Sequence, residues 1–184
     1  MSTTEIKKRS DIFLSKILPK KRVNPATLTL FSIIFKFATI YALFKSFLYL
    51  AIIFILLEVI FDILDGFYAR SQKTLSNLGG FIDHFGDYCL RPIYLIVIAS
   101  NNIISFKIIT LAIFVYLSSV LLESIILESK LKKLPLPSWG IPITLIPGIL
   151  FNCISLIIFI TIILNIITIL IKFLSVLYLN KIKS

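Results

Sequence analysis

Long apolar runs broken by short polar clusters set the rhythm of this chain. Apolar residues dominate from about 25 to 44, 47 to 69, 80 to 100, 106 to 128 and 139 to 180. A helix needs about 20 apolar residues to cross the hydrocarbon core of a bilayer, so the first four runs each predict one span and the last has the length of two. Asn24 and Pro25 mark the start of the first, because proline suits a first helical turn where its missing N–H is not needed. Ahead of it, Leu14, Ile17 and Leu18 share one helical face amid basic residues, which predicts a short amphipathic helix in the headgroup region. The expected fold is an all-α membrane protein: an amphipathic segment over 1–24, then six transmembrane helices over 25–184.

Composition agrees, with 58% hydrophobic and 15% charged residues against about 25% charged in an ordinary soluble domain. The net charge of +10 invites a nucleic-acid reading, but the basic residues cluster outside the apolar runs, so they report topology and no nucleic-acid partner is expected. They gather in the tail from Lys7 to Arg22, beside Arg70 and Lys73, in the loop with Lys130, Lys132 and Lys133, and at Lys181 and Lys183. The opposite loops offer Lys45 and Lys107. By the positive-inside rule both termini are cytoplasmic, which requires an even number of spans and favours six, with the last turn near 155–165. Cys89 and Cys153 lie inside apolar runs without a metal-binding or disulfide pattern and read as small packing residues.

Against this background the acids stand out. Asp62, Asp65, Asp83 and Asp87 sit at the ends of two segments otherwise apolar enough to span, where an ionised aspartate costs roughly 2.5–3.5 kcal/mol at the helix centre unless something offsets it. Positions three and four apart share a helical face, so Asp62, Asp65, Gly66 and Ala69 form one stripe and Asp83 and Asp87 another. The short connection makes the two helices antiparallel neighbours, and four carboxylates converge. Such hard oxygen donors suit Mg²⁺ or Mn²⁺, and Mg²⁺ characteristically shares its shell with substrate phosphates. Arg70 can pair with phosphate, Ser76 can donate a hydroxyl, and Gly66 and Gly79 allow close approach. Four acids against Arg70 do not neutralise themselves. Lys36 and Glu58, inside the first two spans, are expected to pair with each other, whereas Arg91 either holds an anionic acceptor or counters the aspartates.

Asp62-x2-Asp65-Gly66-x2-Ala69-Arg70-x8-Gly79-x3-Asp83-x3-Asp87 resembles, at every fixed position, the signature of the CDP-alcohol phosphotransferase family of membrane phospholipid synthases. The stretch Val23-Asn24-Pro25-Ala26-Thr27-Leu28-Thr29 is similar to the family's segment before the first span. The resemblance implies transfer of a phosphatidyl-type group from a CDP-linked lipid to a small polar alcohol, with release of CMP. It implies that Asp62, Asp65, Asp83 and Asp87 hold metal and that Asp87 is the catalytic base. It also implies that Asp62, Gly66, Arg70, Ser76 and Gly79 hold the CDP group, and that the enzyme is a homodimer among membrane lipids. Leu134 to Ile143 resembles a stretch of serine-using members, while the N-terminal layout is closer to members using inositol phosphate or glycerol phosphate, so the acceptor stays open among these three. An intramembrane divalent-cation transporter also keeps acids in the bilayer, but gives no role to Arg70, to the two glycines or to a site at the cytoplasmic face.

Overall fold

The computed structural model describes Ser15 and residues 23–72, 81–82, 85–128 and 140–183. Among these residues there are six α-helices and no strand: α1 (Pro25–Phe44), α2 (Leu48–Ser71), α3 (Arg91–Ser100), α4 (Phe106–Glu128), α5 (Ile141–Leu150) and α6 (Ile154–Lys183), with a π turn at Gly86–Leu90 running into α3. The amphipathic helix expected in 1–24 falls, apart from Ser15, Val23 and Asn24, outside the described residues, as does Trp139.

α1 begins where the sequence predicts. Asn24 Oδ1 accepts from the Ala26 N–H at 3.1 Å and Pro25 occupies the first turn, which satisfies one of the donors every helix start leaves free. Three tight turns then pair the helices into hairpins, and each has a left-handed residue at its tip: Ser46 (φ 58°), Asn102 (φ 57°) and Asn152 (φ 51°). This conformation folds the next N–H groups back onto the last helical carbonyls, as from Phe47 to Ala42 at 2.8 Å and from Cys153 to Gly148 at 2.9 Å. The first two turns touch, since Asn101 Nδ2 donates to the Leu43 carbonyl at 2.7 Å. At the other end Gln72 Nε2 donates to the Val23 carbonyl at 2.8 Å and ties the exit of α2 to the approach to α1.

The last turn lies at 151–153 and not in the expected 155–165, because Asn152 takes the left-handed conformation that asparagine tolerates better than the isoleucines and leucines around it. α5 is consequently 10 residues long, with Pro147 inside it; at 1.5 Å per residue it covers roughly half of a hydrocarbon core about 30 Å thick. Among the described residues two helices are both long and apolar enough to cross a bilayer, Pro25–Phe44 and Ile154–Leu174. The 24-residue α2 has the length but carries Glu58, Asp62, Asp65 and Arg70.

Polar side chains share the interior with an apolar core, and large apolar side chains cover the outside. Ser32, Lys36, Thr39, Glu58 and Ser119 are inside, while Phe37, Tyr41, Phe44, Ile53, Phe114 and Leu170 face outward. An outer surface of this kind matches lipid. α1 and α2 are zipped by aromatic contacts, Phe31 and Phe35 each lying 5.4 Å from the Phe61 ring. Tyr94, Ile98, Ile55 and Leu43 form the centre of the apolar core beneath the polar cluster.

Candidate active site

The charged residues of α1, α2 and the start of α3 meet in one cluster. Ser32, Lys36 and Thr39 follow one another at spacings of four and three on α1, so they share a face, and all three are buried. That face turns to α2. Lys36 Nζ lies 2.7 Å from Ser32 Oγ, 3.0 Å from Asp62 Oδ1 and 3.6 Å from Asp87 Oδ1, and the Ser32 hydroxyl donates to Asp62 as well. From the other side Arg91 reaches three acids: Nε to Glu58 Oε1 at 2.8 Å, Nη2 to Asp62 Oδ2 at 2.5 Å and Nη1 to Asp87 Oδ1 at 2.8 Å. The Tyr94 hydroxyl donates to the second Glu58 oxygen at 2.6 Å. Asp62 stands nine residues from Ser71, so the cluster is recessed roughly 14 Å from the C-terminal end of α2 at 1.5 Å per residue.

Two expectations are corrected here. Lys36 and Glu58 do not pair with each other: Lys36 serves Asp62 and Asp87, and Glu58 serves Arg91 and Tyr94. The acids are also not left to Arg70 alone, because Lys36 and Arg91 supply two cations from neighbouring elements. Of Arg91's two expected roles, the structure places it as the counter-charge.

The π turn at Gly86–Leu90 was not predicted by the simple helical stripe. A π turn asks each N–H to donate to the carbonyl five residues back, and the residue five beyond Asp87 is Pro92, which has no N–H. The Asp87 carbonyl receives the Tyr116 hydroxyl instead, at a long 3.4 Å. Tyr116 thereby ties α4 to the segment that carries Asp87. Gly86 matters for another reason: a Cβ there would sit 3.2 to 3.3 Å from Cε, Cδ and Nζ of Lys36.

Of the predicted site residues, Asp62 and Asp87 are brought together. Both touch Lys36, so their Oδ1 atoms are no farther apart than the sum of its two contacts. Asp65 is 8% exposed, one turn along α2. Gly66 and Arg70 also meet, since a Cβ at Gly66 would stand 3.0 Å from Arg70 Nη1; the missing side chain makes room for the guanidinium. Asp83, Ser76 and Gly79 lie outside the described residues. Among the described residues no three acidic, His or Cys side chains are gathered as a metal centre. The donor chemistry nonetheless fits a hard divalent ion: carboxylates from two elements meet at a place already occupied by positive charge. Ser32, Lys36 and Tyr94 are the members that sequence reading did not assign to the site. The Ser32–Lys36–Thr39 spacing on an apolar helix signalled the first two, and nothing in the spacing signalled Tyr94.

A second polar stripe, Asn165, Thr168 and Lys172 on α6, is also buried. The family model for CDP-alcohol phosphatidyltransferase matches residues 22–178, most of the chain. Comparison with curated proteins gave no match.

Proposed function

The chain belongs to the CDP-alcohol phosphatidyltransferase family, and from that premise we propose that it transfers a phosphatidyl-type group from a CDP-linked lipid to a small polar alcohol drawn from serine, glycerol phosphate and inositol phosphate. As a member it is a transferase of substituted phosphate groups, embedded in the membrane. The observation that carries the finer reading is the meeting of Asp62 and Asp87, side chains 17% and 25% exposed, in a cluster whose other members are more deeply buried. Carboxylates kept partly open beside buried cations can meet a substrate.

In this reading Asp87 takes the proton of the acceptor hydroxyl. The acceptor oxygen bonds to the lipid-bearing phosphorus, the bridging P–O bond breaks, and CMP leaves with the electron pair. Arg70, with Gly66 beneath its guanidinium, holds the diphosphate through charge-assisted hydrogen bonds, together with Ser76, Gly79 and Asp62. Asp62, Asp65, Asp83 and Asp87 are the residues that would hold Mg²⁺ or Mn²⁺, which neutralises charge developing on a phosphate leaving group. Lys and Arg placement supports cytoplasmic termini, six spans and a site opening to the cytoplasm, where CMP and polar acceptors dissolve. The homodimer rests on the family resemblance.

The test is CMP release from membranes containing the chain, given a CDP-linked lipid and each acceptor, with and without chelator. CMP formation with one acceptor, abolished by chelator, is expected. No metal-dependent CMP with any acceptor, or metal uptake into sealed vesicles without CMP, refutes the proposal.

A further inference from the structure

The reaction just described gives Lys36 no task, yet the site is shaped around it. Its side chain is 1% exposed and its ammonium touches both carboxylates that come together, Asp62 at 3.0 Å and Asp87 at 3.6 Å. Ser32, one turn earlier, bonds the ammonium and Asp62 at once. Gly86 leaves the notch through which the lysine stem passes, since any Cβ there would press on its last two carbons and its nitrogen. Lysine, serine and glycine come from two elements and converge on one position.

The two cations of the cluster are held differently. Arg91 also reaches Asp62 and Asp87, but it has a third anchor in Glu58, which is fully buried and further fixed by Tyr94. Among the described residues the acidic partners of Lys36 are Asp62 and Asp87, the two assigned to metal. A lysine is a point charge on a flexible stem, unlike the planar fork of arginine, so it can withdraw without dismantling the Glu58–Arg91–Tyr94 unit.

We propose that Lys36 is a positioning residue acting as a resident counter-ion. Together with Arg91 it keeps Asp62 and Asp87 gathered while the site is free of metal, and it releases both when a divalent ion binds. This rests on the reading that these acids hold a metal ion. Ammonium and metal therefore compete for the same oxygens, and removing the ammonium should tighten metal binding although it loosens the metal-free protein.

The experiment uses the full chain in detergent micelles, stripped with chelator, and follows Mn²⁺ uptake by loss of the aqueous manganese signal in electron paramagnetic resonance. Lys36→Met should bind Mn²⁺ about tenfold more tightly than wild type, because a like charge next to the ion is gone. Wild-type protein supplies the second measurement and needs no variant to fold: reductive methylation of Lys36 by formaldehyde with a borane or cyanoborohydride reductant, read by mass spectrometry, should rise several-fold when Mn²⁺ is added. Affinity unchanged or weakened in Lys36→Met, or methylation indifferent to Mn²⁺, overturns the exchange while leaving the metal site standing. If wild-type protein takes up no Mn²⁺ at all, the metal-site reading fails and the exchange fails with it.

Discussion

Removing the Arg91 guanidinium should cost the fold more than removing any other single group of the cluster, and its contacts set the size. Its partner Glu58 is fully buried, with Nε and Oε1 2.8 Å apart, and breaking such a buried pair costs about 3–5 kcal/mol because a charge is left without compensation. Asp62 and Asp87 are partly open to water, so each adds at most about 1 kcal/mol. Arg91→Met should therefore destabilise by about 3–7 kcal/mol. Glu58→Gln keeps the shape and an acceptor for Tyr94 while removing the charge, and should cost about 1.5–3 kcal/mol. The double variant should lose less than the sum of the two single losses, by about 2–3 kcal/mol, since neither partner then remains to be stranded. The assay is reversible unfolding in mixed micelles, titrated with a denaturing detergent and followed by helical circular dichroism. Single effects that add to within ~0.5 kcal/mol would refute the claim that this pair acts as a unit.

Asp87→Asn preserves size but cannot take a proton, so CMP release should fall by on the order of 100- to 10,000-fold while CDP-lipid binding, measured by retention of labelled lipid, persists; parallel loss of both would remove Asp87 from the role of base. Ser46→Gly should stabilise the chain by about 0.5–1 kcal/mol, because glycine accepts the positive φ at the first hairpin tip without the steric cost borne by serine. The same detergent titration reads it, and an unchanged or lowered midpoint counts against a strained tip.

Helix starts and hairpins were largely legible because their causes are local. Asn24-Pro25 announces α1, and the observed α2 (Leu48–Ser71) follows the apolar run expected over 47–69. The α5–α6 turn was missed because its signal is one asparagine in a run of apolar residues, and periodicity cannot show where a continuously apolar stretch folds back. The Asp62 stripe was legible for the same local reason. Its partners were not. Lys36 and Arg91 lie on other elements, and helical spacing reports which residues of one helix share a face, not which faces meet. Lys36 and Glu58 match in depth alone, and depth leaves rotation about the helix axis undetermined.

The Lys36–Asp62 contact lies within the first hairpin, whereas the Glu58–Arg91 contact joins the first hairpin to the second. This difference bears on how the protein is made. α1 and α2 can enter the bilayer with ammonium and carboxylate already matched, as a pair of no net charge. Glu58 has to wait for Arg91, and an ionised acid left in the hydrocarbon costs roughly 3 kcal/mol until then. Biogenesis thus acquires an order: insertion of the first hairpin creates an electrostatic debt that docking of the second discharges, so assembly of the helices is drawn forward by charge as well as by packing.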